Sequence, residues 1–229
     1  MIRKHMGKIP EKLCNSPADD AETLQFYVQE AEVYTATGPK DPTRELAGFL
    51  NLLAPGARVL ELGCGNGRDS AAMLALGFQV DATDGVADIA RQAELRIGHP
   101  VRVLRFDQLE AKAEYDGVWA QASLLHVPRP ALPGVLARVF EALRPGGVHC
   151  ASFKTGGAEG RDGFGRYYNY LSLEEVIAAY RASAPWTILS TQEHNCADYE
   201  GVERTWVVIM VRRPHGPEGA TSSPYQSPK

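Results

Sequence analysis

Apolar and polar residues follow one another along the chain in a pattern that predicts short β-strands separated by helices. Apolar runs rich in Val, Leu and Phe alternate with longer stretches of helical spacing. The predicted strands are 57–62, 78–83, 101–106, 116–121, 147–153, 186–193 and 203–212. The predicted helices are 19–36, 41–56, 68–76, 86–97, 130–143 and 172–184. Strands that alternate with helices indicate an α/β fold with a mostly parallel sheet and helices on both faces.

Capping residues set the predicted helix boundaries. Asp41 is the predicted N-cap of the second helix, which has a proline at its first position. Ser172 and Glu175 form a capping-box signature, so the last helix begins at Ser172. The last two strands have no predicted helix between them, and we expect them to pair antiparallel.

Composition and charge limit the partners and the compartment. The 229 residues suit one domain, predicted over 19–213, and the Pro- and Gly-rich ends 1–18 and 214–229 are predicted to be disordered. A net charge of −4 without a basic cluster predicts no nucleic-acid partner. No apolar stretch reaches the ~18 residues of a membrane span. Four scattered cysteines predict no disulfide framework and no metal site, which favours a cytoplasmic protein.

The stretch LELGCGNGRDS, residues 60–70, lies between a predicted strand and a predicted helix. The dinucleotide pattern G-x-G-x-x-G would need glycine where Arg68 stands, and a triphosphate-binding loop would need a Gly-Lys-Ser/Thr ending. The pattern present, E-x-G-x-G-x-G, suits a ligand that approaches the backbone and a helix N-terminus but brings no phosphate. The methionine half of S-adenosylmethionine is such a ligand.

Further polar residues follow the other strands, at the edge of the sheet where ligands of open α/β sheets bind. Asp84 ends the second strand, 21 residues after Gly63, where it can accept hydrogen bonds from both ribose hydroxyls. The third strand ends in Phe106 and Asp107, a ring edge and a carboxylate suited to an adenine amine. Just past the central strand come Gln121, Ala122, Ser123 and His126.

Taken together, these motifs resemble the class I S-adenosylmethionine-dependent methyltransferases. The likeness covers roughly residues 20–212 and is carried by VLELGCGNGRDS, ATDGV, RFDQL, YDGVWAQASLLHV and LRPGGVHCASFK. It implies a Rossmann-like sheet of seven strands in the order 3-2-1-4-5-7-6, with the last strand antiparallel. The Gly-Arg-x-Ser after the glycines and the segment ASLLHVPR also resemble small bacterial methyltransferases of the tellurite-resistance type, which implies a small-molecule methyl acceptor.

The resemblance also implies which residues bind S-adenosylmethionine, with S-adenosylhomocysteine as the product. The residues implied at the methionine moiety are Gly63, Gly65 and Arg68. Those implied at the ribose and the adenine are Asp84, Gly85, Val86 and Asp107. The remaining predicted cofactor contacts are Tyr27, Glu61, Cys64, Phe106, Gln121 and Ala122.

Several of these residues have a purely structural alternative. Asp84 is also a candidate helix N-cap. Glu61 lies in an apolar strand and must find donors, either protein N–H groups or the cofactor's amine. Cys64 suits a small apolar filler better than a nucleophile. Tyr27 and Tyr34 lie seven residues apart on one helical face, a spacing that fits both core residues and a lid over the cofactor.

The acceptor site is predicted at the segment 154–171, which carries five glycines and four aromatic residues and is long for a connection in this fold. It is interpreted as a functional lid, with Tyr167, Tyr168 and Tyr170 in the loop. The alternative is a surface loop whose tyrosines pack locally.

Methyl transfer from a sulfonium is an in-line displacement, so positioning supplies most of the acceleration. An acceptor hydroxyl or ammonium also needs a base, for which His126 is the best placed candidate, with an equally plausible role in shaping the pocket. His194 and Asp198, in the connection before the last strand, come second, and Tyr168 is the third catalytic candidate. A soft nucleophile such as a thiol needs no base.

Other function classes stay open at this stage. They are an RNA or protein methyltransferase, a non-catalytic module that binds S-adenosylmethionine and, more remotely, a nicotinamide oxidoreductase. The sequence identifies neither the acceptor nor the oligomeric state.

Overall fold

The computed structural model describes residues 16–197 and 201–215. The helices in this part are α1 (Ala21–Thr37), α2 (Leu46–Leu50), α3 (Arg68–Ala75), α4 (Ala87–Ile97), α5 (Leu132–Ala142) and α6 (Leu173–Ser183). The strands are β1 (Arg58–Leu62), β2 (Gln79–Asp84), β3 (Val101–Val103), β4 (Tyr115–Ala120), β5 (Leu143–Lys154), β6 (Gly160–Arg161), β7 (Tyr167–Tyr168), β8 (Thr187–Ala197) and β9 (Glu203–Arg212). Most of the two ends that were predicted to be disordered lies outside the described residues.

Seven strands form one sheet in the order β3-β2-β1-β4-β5-β9-β8. β1 pairs in parallel with β2 and β4, whereas β9 runs antiparallel between β5 and β8. Counted within this sheet alone, the order is 3-2-1-4-5-7-6, so the predicted order and the antiparallel last strand are confirmed.

Apolar layers cover both faces of the sheet. One layer packs beneath α5 and α6 and includes Leu136 and Val176. The other packs beneath α2, α3 and α4 and includes Met73. The central strand β4 contributes side chains to both layers, Val118 to the first and Trp119 to the second. Because these strands are buried on both faces, polar side chains at their carboxyl ends mark the edge where chemistry can occur.

The capping box predicted for the last helix is confirmed. The Ser172 hydroxyl accepts a hydrogen bond from the Glu175 N–H at 3.2 Å, and the Glu175 carboxylate accepts from the Ser172 N–H at 2.8 Å. This reciprocal pair fixes the start of α6 and thereby ends the glycine-rich segment before it. None of the helices in the described ranges has the length and apolar character of a membrane span.

The helix predicted over 41–56 is largely wrong, since only Leu46–Leu50 is helical and Asp41 is exposed and caps nothing. The cause is a tertiary contact. Thr43 donates from its backbone N–H and from its hydroxyl to the Asp69 carboxylate, at 2.7 and 2.6 Å. These bonds hold the segment before α2 against α3 in a non-helical conformation. Leaving the buried carboxylate without donors would cost more free energy than one further turn of helix would gain.

The segment 154–171 is also more ordered than predicted. Tyr167 and Tyr168 lie in β7, which pairs antiparallel with β6 to form a hairpin, residues 160–168. Tyr168 and Tyr170 are buried. The β7 side of the hairpin is therefore packed onto the body of the protein, whereas Phe164 at its turn is exposed. The third strand is shorter than predicted, since Phe106 lies in a 3₁₀ turn after it.

Candidate active site

The glycine-rich turn after β1 brings the backbone to the edge of the sheet. Gly63, Gly65 and Gly67 have φ angles of 78°, 56° and 77°, in the left-handed region that glycine adopts without strain. A Cβ on Gly63 would lie 2.6 Å from the Cβ of Ser123, so a larger residue would displace the segment after β4. α3 begins directly after the turn and directs its N-terminal N–H groups toward the same edge.

Asp84 connects this turn to the next one. Its carboxylate accepts from the Gly65 N–H at 3.1 Å and from the Val86 N–H at 3.0 Å. Burial raises the pKa of this carboxyl to about 6, and the two N–H groups oppose that rise. The helix-cap alternative does not describe this geometry, because Val86 is the N-cap of α4 and no side chain caps that helix. Asp84 lies instead between two backbone turns, at the wall of a cavity.

That cavity is narrow, about 100 Å³, and lies between the strand ends and α1. Thr23, Leu24, Tyr27 and Tyr34 of α1 form its cover. The predicted cofactor residues that line it are Tyr27, Gly63, Gly65, Asp84, Gly85, Val86, Phe106 and Ala122. Residues from the first helix and from four strand ends therefore meet at one cavity, as the sequence predicts for a nucleoside-sized ligand.

A wider cavity of about 690 Å³ adjoins the narrow one. The residues that line both are Tyr27, Tyr34, Gly63, Gly65, Ala122 and His126. The other predicted cofactor residues on the wide cavity are Glu61, Cys64, Arg68 and Gln121, and the three catalytic candidates His126, Tyr168 and His194 also line it. Of the predicted site residues, Asp107 alone lines neither cavity.

Oε1 of Gln121, on the wall of the wide cavity, is a buried acceptor with no hydrogen-bond partner within the described residues. Oδ1 of Asp107 is unpartnered too, and Asp107 follows Phe106, which lines the narrow cavity. A buried acceptor without a donor costs about 1–3 kcal/mol, so each position suits a ligand that brings an N–H. S-adenosylmethionine carries two such groups, the methionine ammonium and the adenine amine. The residues present therefore fit this ligand.

Glu61 finds its donor within the protein, since the Ser70 hydroxyl donates to its carboxyl group. Burial, followed by the nearby Asp69 carboxylate, raises the pKa of Glu61 to about 8. The side chain is therefore protonated at pH 7. Burial also raises the pKa of the Cys64 thiol well above its ordinary value, so Cys64 stays a neutral thiol, in line with its interpretation as a filler.

Asp69 is a site residue that sequence reasoning missed. Its carboxylate accepts from Trp119 Nε1 at 3.0 Å, in addition to the two bonds from Thr43. The Arg68 guanidinium donates to the Thr43 hydroxyl at 2.7 Å. Asp69 thus fixes the segment before α2 beside the glycine turn and orients Arg68 at the wide cavity. Its signal in the sequence is weak, because a carboxylate in the first turn of a helix is more often placed there by the helix dipole alone.

His126 lies between α1 and the hairpin with both ring nitrogens engaged. Its Nδ1 lies 2.6 Å from the Tyr167 carbonyl oxygen, which can only accept, so Nδ1 carries the proton. Its Nε2 then accepts from the Tyr27 hydroxyl at 3.0 Å. Burial lowers the pKa of this imidazole to about 4. His126 is therefore neutral at pH 7 and joins two elements by hydrogen bonds.

Arg166 of the hairpin contacts Tyr27 as well. It is only 2% exposed and pairs with the equally buried Asp162 at 2.7 Å. Its Nη1 donates to the Tyr27 hydroxyl at 3.2 Å, and its guanidinium lies 4.8 Å from the ring centre of Phe26. The hairpin therefore positions a buried cation at the wide cavity, against aromatic residues of α1.

Lys154, which sequence reasoning also missed, is the last residue of β5 and is 3% exposed. Its Nζ lies 4.1 Å from the ring centre of Tyr168 and 5.5 Å from that of Trp206. A lysine closing a buried strand was visible at the end of LRPGGVHCASFK, but burial of a charge is a property of the fold and not of the pattern.

His194 was placed in the connection before the last strand, and that prediction is wrong. It lies within β8, which extends to Ala197 because it pairs with β9 over its whole length. Its Nδ1 is 3.9 Å from Oε1 of Glu45. Asp198, the companion candidate, lies outside the described residues.

Comparison with known families finds a likeness for the core of this site. Residues 59–147, from β1 into β5, match the family model described as a methyltransferase domain. This part of the chain is therefore similar to a methyltransferase domain. The matched part contains the glycine turn, Asp84, Gln121 and His126, whereas α1 and the hairpin lie outside it.

Part of the chain is similar to named relatives. The chain is 32% identical over 128 residues to a ubiquinone biosynthesis O-methyltransferase of Xanthomonas campestris pv. campestris, which covers 50% of this chain and 53% of that protein. The chain thus spans about half the length of the curated relatives it matches.

Solved structures agree on the fold of the chain. An S-adenosylmethionine-dependent methyltransferase of Methanosarcina mazei has a TM-score of 0.67 at 16% identity, covering 77% of this chain and all of that one. The 1,6-didemethyltoxoflavin N1-methyltransferase of Burkholderia thailandensis, solved with its substrate and S-adenosylhomocysteine, has a TM-score of 0.68 at 24% identity, covering 85% and 88%. The fold is that of the class I S-adenosylmethionine-dependent methyltransferases.

Proposed function

We propose that the chain is an S-adenosylmethionine-dependent methyltransferase that methylates a small molecule by in-line transfer. The observation that carries the proposal is the meeting of two cavities at the glycine turn and at His126. A narrow cavity for the nucleoside and a wide one for the acceptor share a wall at which the two reactants would face each other.

Each part of the cofactor has residues suited to hold it. The backbone of Gly63 and Gly65 and the guanidinium of Arg68 suit the methionine moiety. Asp84 suits the ribose, and Gly85, Val86 and Phe106 suit the adenine. When bound, this cofactor supplies a methyl group activated on a sulfonium. Gln121 and Asp107 have the unpartnered oxygens for its two amine groups.

A small-molecule acceptor suits the shape of the wide cavity. α1 and the hairpin close over it, and three contacts join them: Asp20 with Arg161, the Thr23 hydroxyl with the Tyr167 N–H, and Tyr27 with Arg166. A cavity bounded by a helix and a hairpin that are joined in this way suits a small molecule better than an RNA or a side chain of a folded partner. The names of the relatives, which refer to ubiquinone biosynthesis and to a toxoflavin precursor, support the same class. The likeness to the tellurite-resistance type stays a prediction, as do the cytoplasmic location and the single domain over 19–213.

The protein residues act in this proposal by binding and by excluding water. His126 holds Tyr27 and the hairpin in place and lines both cavities. The aromatic rings of Tyr27 and Tyr168 exclude water from the junction, which favours the reaction of a charged sulfonium. Positioning alone can supply most of the rate enhancement of such a displacement.

Calorimetric titration with S-adenosylmethionine, S-adenosylhomocysteine and NAD tests the proposal. We expect micromolar binding of the first two and none of NAD. Gly63→Ala should weaken binding of S-adenosylhomocysteine more than tenfold, because its Cβ meets Ser123. Gly77→Ala is the matched control, since Gly77 also has a positive φ of 84° but no atom within 4 Å of the added Cβ. Failure of the unaltered protein to bind either sulfur ligand would refute the proposal.

Catalysis needs a separate measurement. Release of S-adenosylhomocysteine in the presence of a panel of phenols, thiols, amines and metalloid oxyanions would show turnover. Tight cofactor binding without turnover on any of them would favour the alternative of a non-catalytic binding module.

A further inference from the structure

One wall of the wide cavity is formed by the last strands of the sheet. Lys154 at the end of β5 pairs with Trp206 of β9, and Trp206 pairs in turn with His194 of β8. Residues directly opposite one another in antiparallel strands have their side chains on the same face of the sheet. The three side chains therefore form a row across three strands, and all three line the wide cavity.

A buried carboxylate lies behind His194. It belongs to Glu45, the N-cap residue of α2, whose side chain makes no capping bond and is 5% exposed. Its Oε1 accepts no hydrogen bond within the described residues and lies 3.9 Å from Nδ1 of His194. Because a carboxylate oxygen can only accept, the ring nitrogen that faces it is the one that carries the proton. The lone pair of His194 is therefore on Nε2.

The other two catalytic candidates at this cavity have no lone pair to offer. Nδ1 of His126 donates to a carbonyl, and its Nε2 already accepts from Tyr27. Burial raises the pKa of Tyr168, so its phenol stays protonated at neutral pH. The side chain of His194 is 23% exposed, and no hydrogen bond within the described residues occupies its Nε2. Among these three candidates, His194 is thus the one equipped to accept a proton from a ligand.

We propose that His194 is the general base of the methyl transfer, that Glu45 is its positioning residue, and that the acceptor is a phenol, which brings its hydroxyl proton to the site. This inference rests on the proposed function, since the wide cavity must hold the acceptor. The rings of Trp206 and Tyr168 on the same cavity suit an aromatic acceptor. A simple phenol is too weak an acid to ionise in neutral water, so a base at its hydroxyl accelerates the reaction.

The transfer step balances with His194 as the base. Nε2 takes the hydroxyl proton while an oxygen lone pair forms the bond to the methyl carbon, and the carbon–sulfur bond breaks with its electron pair left on sulfur. The products are a neutral methyl ether, a neutral thioether and the imidazolium of His194. That new positive charge lies beside the Glu45 carboxylate, which stabilises it as it forms. The imidazolium then returns its proton to water through the exposed part of the side chain.

Two phenols of different acidity distinguish a base from a structural residue. In mildly alkaline buffer 4-methoxyphenol stays protonated, whereas 4-nitrophenol is largely ionised and needs no base. Release of S-adenosylhomocysteine gives kcat/KM for each. We expect His194→Gln to lower kcat/KM at least about 100-fold for 4-methoxyphenol and less than about tenfold for 4-nitrophenol. Equal losses for the two phenols, or no loss for either, would overturn the inference. Turnover of thiols or amines by the unaltered protein, but of neither phenol, would also overturn it and leave the proposed function standing.

Glu45→Gln tests the positioning role, because it keeps the size of the side chain and removes its charge. We expect kcat/KM to fall at least about tenfold for 4-methoxyphenol and to stay unchanged for 4-nitrophenol. Glu193→Gln is the matched control, since it removes the same charge from an exposed neighbour of His194 that pairs with Val207, on the other face of the sheet. Each variant is first titrated with S-adenosylhomocysteine. Intact binding with unchanged turnover of 4-methoxyphenol in Glu45→Gln would overturn the role of Glu45, whereas failure of the unaltered protein to bind that ligand would refute the proposed function itself.

Discussion

Asp84 is the residue at which the backbone of two turns and the predicted ribose site coincide. Its carboxylate is buried with two backbone N–H donors, so the turns are held in place before any ligand arrives. A charged acceptor prepared in this way binds a diol well, because no side chain has to be ordered on binding.

Replacement of this carboxylate should therefore weaken the cofactor site. Asp84→Asn is expected to reduce the affinity for S-adenosylhomocysteine by about 1–3 kcal/mol, since a charged acceptor is lost. Calorimetry measures the change, with Asp88→Asn on the exposed first turn of α4 as the control. An unchanged dissociation constant in Asp84→Asn would show that the ribose lies elsewhere.

The ring and the hydroxyl of Tyr168, which lines the wide cavity, can be tested separately. Tyr168→Phe keeps the ring beside Lys154 and His126 and should leave cofactor affinity and most of the turnover intact. Tyr168→Ala removes the ring and should lower kcat/KM for the acceptor about tenfold, the scale of one buried cation–π contact. Steady-state kinetics on an acceptor from the panel decides this. Equal kcat/KM for the alanine variant and the unaltered protein would contradict the proposal that the acceptor binds in the wide cavity beside Tyr168.

The conformation of the hairpin depends on one buried ion pair, between Asp162 and Arg166. Asp162 accepts from the N–H groups of Phe164 and Arg166 and from the Arg166 guanidinium, so it organises the turn of the hairpin. Arg166 in turn contacts α1 through Tyr27. Two elements outside the matched methyltransferase domain are thus joined through two side chains.

Removal of the cation alone should be costly, because it leaves a buried carboxylate without its counter-ion. Arg166→Met is expected to lower the free energy of unfolding by about 3 kcal/mol, and the double variant Asp162→Asn/Arg166→Met should recover at least half of that loss. Lys112→Met breaks an exposed pair and should cost less than about 1 kcal/mol. Denaturant titrations give all three values. A double variant as unstable as the single one would show that the pair contributes more than charge balance.

The elements show where sequence reasoning succeeds. α6 and its capping box were predictable because the signal, Ser172 with Glu175, is local. The helix over 41–56 was predicted wrongly because the bonds from Thr43 to Asp69 join residues 26 positions apart. The hairpin was missed for the same reason, since strands of two residues are stabilised by contacts with α1 and not by their own propensity.

At the scale of the whole molecule, the strand order was predictable because alternating strands and helices permit few topologies and the motif resemblance selects one. Because that order places the carboxyl ends of β1, β2, β3 and β4 side by side, the predicted cofactor residues that follow these strands lie together. Lys154 and Asp69 were not predictable, because their importance lies in burial and in partners from other elements. The sequence pattern thus predicts which residues meet at the narrow cavity better than it predicts the buried charges of the wide one.

The buried Glu61 should make the stability of the protein depend on pH. Its pKa rises from an ordinary value of 4.5 to about 8 on folding, so the folded chain holds a proton that the unfolded chain releases. Stability from this group is present below pH 4.5 and is lost as the pH rises toward 8. His126 and His149, whose pKa values are lowered to about 4 by burial, act in the opposite direction, and their effect fades as the pH rises above their ordinary pKa of 6.5.

Between pH 7 and 8 the free energy of unfolding of the ligand-free protein should therefore fall by a little less than about 1 kcal/mol. Glu61→Gln keeps an acceptor for Ser70 but cannot ionise, so its stability should not fall over that window. Denaturation curves at four or five pH values provide the test. The same slope in both proteins would place the titrating group elsewhere.

α1 lies over the narrow cavity, and its Tyr27 also lines the wide one. Hydrogen bonds and an ion pair join the helix to the hairpin. A ligand in either cavity therefore stabilises the same arrangement of helix and hairpin that the other ligand needs. Thermodynamic linkage makes such a benefit mutual, so the acceptor and the cofactor should each strengthen the binding of the other by an equal factor. The helix and the hairpin, which the matched family model does not include, would then make the binding of two substrates a single cooperative event.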